Sequence, residues 1–135
     1  MTTEPATILL DTSAIVAILT HESTAADLAR KLLAAELRYT PVPCVAEATL
    51  VLFTKLGRDP WPTLLEFLRE FDIELVPFAA HHLAWFSHGY QHYGKGRHKA
   101  SLNMGDCFTY AIAKSSGFSV LFTGTDFLHT DLTFA

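Results

Sequence analysis

The feature that most restricts the fold of this chain is an alternation of short runs, apolar on both faces, with longer segments of helical spacing. Thr7-Ile8-Leu9-Leu10 is the first such run. It is too short for a helix and has no polar face, as a central strand of a parallel sheet requires. Ala14 to Leu19 reads as an apolar helix, and a second helix, capped by Ser23 or Thr24, sets Leu28, Leu32 and Leu33 against Asp27, Arg30, Lys31 and Glu36. A strand near Arg38-Tyr39-Thr40 is closed by Pro41-Val42-Pro43. Residues 45–56 then return to helical spacing, with Glu47 expected in the first turn and Gly57 as the stop. Asp59-Pro60-Trp61-Pro62 opens a helix whose Leu64, Leu65, Phe67, Leu68 and Phe71 are expected to face inward. Ile73 to Val76 reads as a third strand, residues 79–93 as a histidine-rich helix, and Phe118 to Phe122 as a fourth strand after a helix stopped by Gly117. The pattern predicts one domain over residues 1–135, a three-layer α/β/α sandwich around a parallel sheet of four to five strands.

With 135 residues and 50% hydrophobic content, such a domain can bury a substantial core. The formal net charge of -4 excludes a nonspecific polyanion binder, so any contact with nucleic acid must be local or assisted by a metal. One local stretch qualifies: Gly94-Lys95-Gly96-Arg97-His98-Lys99 sets Lys95, Arg97 and Lys99 on a glycine-flanked loop suited to backbone phosphates. Nearby Trp85, Tyr90 and Tyr93 are candidates to stack bases or, as readily, to pack their helix onto the domain. Cys44 and Cys107 stand in apolar surroundings without C-x-x-C spacing, which reads as buried free thiols in a reducing compartment rather than a zinc site. His88 and His92 are spaced i, i+4, but no H-E-x-x-H pattern accompanies them, so His81, His82, His88 and His92 are read as surface or loop-facing. Met1-Thr2-Thr3-Glu4 lacks the basic region of a leader, and no run approaches a membrane span, which together predict a cytoplasmic protein.

The chemistry is carried by acids at the strand ends. Asp11 follows the first strand, Glu47 lies near the start of the helix after the second, Asp106 opens a helix, and Asp126 follows the fourth strand. Asn103 and Asp106 are spaced as a helix cap and its third residue, which by itself needs no function. Four acids at four such junctions, however, can converge on the carboxyl edge of a parallel sheet, where ligands collect. Carboxylates so gathered repel one another and raise each other's pKa unless a hard dication, Mg²⁺ or Mn²⁺, bridges them. An oxygen-only site of this kind suits metal-dependent phosphodiester hydrolysis. Neither a G-x-S-x-G elbow nor a phosphate loop of the Walker type is present, and a haloacid-dehalogenase-like site would need an acid where Ser13 stands.

Four segments together, Ile8 to Ala14, Glu47 in its helix, Tyr93 to Cys107, and Thr125-Asp126-Phe127 with Thr130-Asp131, resemble the PIN-domain ribonucleases, specifically the VapC-type toxins of toxin-antitoxin pairs. The resemblance runs from about residue 7 to residue 132 and implies a PIN-like sandwich. It also implies a Mg²⁺-dependent endoribonuclease that cuts structured RNA such as tRNA or rRNA, dimerises, and is inhibited by a VapB-type antitoxin. Carried over by position, Asp11 and Asp106 are the principal metal ligands and Glu47 and Asp126 complete the acidic pocket, with Asp126 also a metal ligand. Asn103 and a nearby fifth acid, Asp131, support the site, and Ser13 or Thr12 orients Asp11 or a water. Two departures stand out: Cys44 occupies a position where relatives often place a serine that caps the Glu47 helix, and Lys99 one where proline is frequent. The surplus of apolar helical residues, Ile15, Ile18, Leu19, Val51 and Phe53 among them, predicts a dimer seam. The alternative from another class is a catalytically silent RNA- or protein-binding module of the same fold, against which the retention of all four acids argues.

Overall fold

The computed structural model describes residues 6–135, so the leaderless Met1 to Glu4 reading lies outside the described residues. Four strands, β1 (Thr7–Leu10), β2 (Leu37–Pro41), β3 (Ile73–Val76) and β4 (Ser119–Leu121), pair in the order β3-β2-β1-β4, every pair parallel. The tail adds one parallel bridge between Val120 and Phe134, which is what remains of a fifth strand. β1 is the central strand, and alternation along it sends side chains to two separate cores. Ile8 and Leu10 enter one core with α1 (Thr12–Leu19), α2 (Ala25–Ala34), α3 (Val42–Leu56) and α4 (Trp61–Glu70). Leu9 enters the other, with Val120, α6 (Met104–Ser116) and the partly buried Phe86 of α5 (Leu83–Tyr93). The result is the expected α/β/α sandwich.

Several local expectations shift. α3 begins at Val42, directly after β2, because Pro43 falls in the first turn, where a missing N–H costs no intrahelical bond. Glu47 is therefore in the second turn rather than the first, and Cys44 lies inside the helix rather than capping it. The histidine-rich segment divides into a 3₁₀ turn, Ala80–His82, and α5. At that junction His82 is buried, not surface-facing; its Nδ1 accepts from the Ala79 N–H at 2.9 Å, and burial pulls its pKa down. Leu33 is exposed, and β4 is shorter at both ends than predicted. Of the residues assigned to a dimer seam, Ile15 is fully buried and Ile18, Leu19 and Val51 pack against the core, leaving only Phe53 exposed.

Two long-range devices hold the layers. Arg38, on β2, donates to the carbonyls of Leu32, Leu33, Ala35 and Phe71, so one guanidinium satisfies the C-terminal end of α2 and the approach to β3. Gly89 of α5 lies against the ring of Tyr110 on α6, where an added Cβ would come within 2.5 Å of the tyrosine Cδ1. That absence of a side chain sets the close approach of the two helices over the second core.

Candidate active site

β1 lies between β2 and β4, so the chain direction of the connections reverses there. The crevice beyond the carboxyl ends of β1 and β4 is thus the place where such a sheet binds ligands. Asp11 is the first residue past β1, and its N–H donates to the Leu121 carbonyl of β4 at 3.0 Å. Its extended backbone makes it the N-cap of α1, with Oδ2 accepting from the Ser13 N–H at 3.0 Å. Oδ1 accepts from the Thr109 hydroxyl at 2.6 Å. Asp11 is buried, and desolvation raises its pKa; the Thr109 and Ser13 hydrogen bonds oppose that rise, while the Glu47 charge adds to it.

Asp106 serves two purposes at once. As the third residue of α6 it completes a reciprocal cap: Asn103 Oδ1 accepts from the Asp106 N–H at 2.9 Å, and Asp106 Oδ2 accepts from the Asn103 N–H at 3.1 Å. The same buried carboxyl is pushed up to about 7 by desolvation first, and further by the charges of Asp11 and Asp126 and a hydrogen bond with Asp126; only the Asn103 N–H works against the rise. Asp126 itself is exposed, at the start of a 3₁₀ turn, Asp126–His129, that follows β4. The capping geometry and the acid cluster therefore coexist in one residue.

Glu47 reaches this group from α3. Gly105 lies directly beneath it, and a Cβ at Gly105 would fall inside the Glu47 carboxylate. Glu47, Asp11, Asp106 and Asp126 thus form a chain of mutually repelling neighbours drawn from four elements. Among the described residues no three His, Cys, Asp or Glu side chains close around a single point. The donor chemistry nevertheless fits a hard dication: Asp11 and Asp106 are buried acids with raised pKa values, and Asp126 adds a carboxylate at the exposed rim, hydrogen-bonded to Asp106.

The supporting residues sort differently from expectation. The Ser13 hydroxyl borders Asp11 and accepts from the Thr123 N–H at 3.1 Å, joining α1 to the loop after β4. The Thr12 hydroxyl turns away from Asp11 and donates to the Cys44 carbonyl at 3.3 Å. Asp131 does not join the cluster. Its Oδ1 accepts from Tyr110 Oη at 3.0 Å and its Oδ2 from Lys114 Nζ at 2.9 Å; burial pushes its pKa up, but these two bonds outweigh it and hold the carboxyl low. Thr109, which sequence reasoning missed, is the hydroxyl that orients Asp11, and it also meets Cys44 Sγ at 3.1 Å. Its position three residues after Asp106, on the same face of α6, was the available signal. Burial pushes the Cys44 thiol up to about 12 and Cys107 up to about 11, so both are neutral packing groups.

Beside the cluster, the bridge between Gly94 and Leu102 ties the root of the basic loop to the residue preceding the Asn103 cap. Lys95, Arg97 and Lys99 are exposed and make no ion pair among the described residues. Arg97 lies over the exposed Tyr90 ring at 5.4 Å. Tyr93 instead packs against Tyr110 and His98, and Trp85 against His88 and Lys114.

A parallel sheet with this crossover order and a carboxylate chain at its switch point defines the class, and the family model of the PIN domain matches residues 8–132. The chain is 41% identical over 130 residues to ribonuclease VapC36 of Mycobacterium tuberculosis, covering 93% of this chain and 91% of that one. It is 38% identical over 124 residues to VapC ribonuclease Mb0640 of Mycobacterium bovis, covering 92% and 95% respectively. The chain belongs to the VapC ribonucleases of the PIN-domain family. Its fold also matches a crystal structure of Mycobacterium tuberculosis VapC20, a sarcin-ricin-loop-cleaving toxin, with a TM-score of 0.74 at 14% identity over 95% of this chain and 98% of that one. A toxin-antitoxin complex from Klebsiella pneumoniae matches with a TM-score of 0.67 at 14% identity, covering 92% of each chain. No helix among the described residues is long and apolar enough to cross a membrane.

Proposed function

We propose that this protein is a Mg²⁺-dependent endoribonuclease toxin, with Mn²⁺ as the alternative ion, that cuts structured RNA such as tRNA or rRNA. The observation that carries the reading is the carboxylate chain Glu47-Asp11-Asp106-Asp126 at the switch point of the sheet, with the Asp106 carboxyl pushed up to about 7 by burial and further by its acidic neighbours. A binding module gains nothing from such repulsion facing a polyanion. Asp11, Asp106 and Asp126 would hold the ion, which when bound supplies Lewis acidity toward water and the scissile phosphate. Thr109 and the Ser13 N–H fix the Asp11 carboxylate, the Asn103 cap fixes Asp106, and Glu47, resting on Gly105, stands at the edge of the group as a proton acceptor for an attacking water. Lys95, Arg97 and Lys99 extend from the loop rooted beside Asn103 and meet the RNA backbone.

Two surfaces support the partners. A groove of about 760 Å³ between the ends of α1, α3 and α4, with an apolar floor of Ile18, Leu19, Leu56, Phe67 and Phe71 and charged residues such as Glu22, Lys55, Arg58, Glu66 and Glu70 in its lining, suits a segment of a VapB-type antitoxin, as the likeness to a toxin-antitoxin complex invites. On the outer face of α3, Val42, Leu50 and Phe53 are exposed at helical spacing and would meet a second copy in a homodimer. The test of the activity is sequencing of RNA ends after incubation of total RNA with the purified protein, in Mg²⁺ and in EDTA, beside Asp106→Asn. Discrete new ends that need Mg²⁺ and Asp106 are expected; identical ends in all samples would overturn the reading.

A further inference from the structure

A second cluster of metal-ligating side chains lies outside the acid group, on α5. His88 and His92 stand one turn apart with ring centroids 4.0 Å from each other and planes inclined by 31°. The two imidazoles are in contact on adjoining turns of one helix face. His92 Nδ1 lies 2.9 Å from the His88 carbonyl oxygen. A carbonyl oxygen carries no proton, so Nδ1 holds the hydrogen, and the lone pair of His92 is left on Nε2, outside the helix. A second nitrogen committed to a backbone carbonyl is the arrangement that fixes the tautomer of metal-ligating histidines. His92 is exposed, and His88 is backed by the near-parallel ring of Tyr110 at 6.2 Å and by the edge of Trp85 at 5.5 Å. Lys114, which lies over the neighbouring Trp85, is ion-paired with Asp131 at 2.9 Å, so its charge is compensated. His92 falls in the last turn of α5, where the unpaired carbonyls favour positive charge.

From this geometry we infer that His88 and His92 form a two-imidazole site for a transition-metal dication of borderline softness, Cu²⁺, Ni²⁺ or Zn²⁺, separate from the acid cluster. Imidazole nitrogen selects these ions, whereas the all-oxygen donors of Asp11, Asp106 and Asp126 select hard ones, so the two sites sort metals by ligand chemistry. Water completes the coordination. An ion here bridges consecutive turns at the end of α5 and adds positive charge where the helix enters the loop carrying Lys95, Arg97 and Lys99. The inference does not rest on the ribonuclease reading.

Trp85 is the reporter. In a Trp61→Phe background it is the sole tryptophan, and Cu²⁺ held at His88 and His92 quenches its fluorescence. CuCl₂ is titrated into the full chain and into His88→Ala, His92→Gln and Asp106→Asn variants, with ZnCl₂ calorimetry in parallel. Saturable one-to-one binding is expected at micromolar ion. Each histidine variant should weaken it by about tenfold or more, at least the loss that removing an outer-shell partner brings. Asp106→Asn and millimolar Mg²⁺ should leave it unchanged. His92→Gln removes an exposed ring and keeps the fold, so it decides the matter should His88→Ala loosen the packing on Tyr110. An unchanged midpoint in His92→Gln, or displacement by Mg²⁺, would overturn the site.

Discussion

Asp106→Asn separates the carboxylate cluster from a simple helix cap by the pH dependence of stability. In the fold the Asp106 carboxyl is pushed up to about 7, against an ordinary aspartate value of 3.8. Between those values the native state binds a proton that the unfolded chain has released, so the metal-free wild type loses stability as pH rises from about 4 to 7. For a carboxyl fully shielded from solvent the gap corresponds to about 4 kcal/mol. Solvent at the cleft mouth and the exposed position of Asp126 reduce this to about 1–3 kcal/mol. Asparagine is neutral throughout, keeps an oxygen to accept from the Asn103 N–H, and offers an N–H₂ to Asp126. In EDTA the two proteins should therefore be almost equally stable near pH 4, and the variant should be the more stable by about 1–3 kcal/mol at pH 8. Urea unfolding at a series of pH values measures this. A difference that does not change with pH would refute the cluster, and a variant less stable by up to about 1 kcal/mol at every pH would leave only the cap. Millimolar Mg²⁺ should reverse the order at pH 8, because an ion stabilises the native state in proportion to its occupancy.

Other perturbations test neighbouring links. Gly105→Ala forces the Glu47 carboxylate aside; since Glu47 is a flexible side chain at the cleft edge, stability by thermal melting should change by less than about 1 kcal/mol while RNA cleavage falls sharply. Thr109→Val removes the hydroxyl from buried Asp11 and should cost about 1–3 kcal/mol at pH 8, less at pH 4, where a protonated Asp11 needs the bond less; equal costs at both values would argue against the assignment. Replacing Lys95, Arg97 and Lys99 together with alanine should lower the log-log salt slope of RNA binding by roughly 0.7–0.9 for each backbone phosphate no longer neutralised, with an unchanged melting temperature. Phe53→Lys should convert a dimer to a monomer in light scattering at micromolar concentration; a wild type that is already monomeric removes the proposed seam.

The chain order of strands and helices was legible because it rests on local periodicity. The two-sided apolar run at residues 7–10 demanded a central strand, and Asn103 with Asp106 spelled a helix start that the fold keeps. The same pattern put Asp11, Asp106 and Asp126 at element junctions, since an acid at the end of a buried strand or in a first helical turn has few other places to go. Boundaries near proline were less legible: Pro43 reads as a stop but is equally at home in the first turn of α3, and the fold takes the second course, with Cys44 buried against Thr109. What the tertiary structure alone decided are contacts between residues far apart in the chain. The Thr109 hydroxyl on Asp11 spans 98 positions, and Glu47 finds room only because Gly105, on another helix, has no side chain. Asp131, which the sequence offers as one more acid, is withdrawn by Tyr110 and Lys114, and the His88 and His92 rings gain a fixed orientation from a backbone carbonyl and a ring on the next helix. Periodicity determines which face of an element is buried, because burial of apolar surface is not directional. Hydrogen bonds and close approaches are directional, so which polar groups meet inside that frame depends on distances that exist only once the layers have packed.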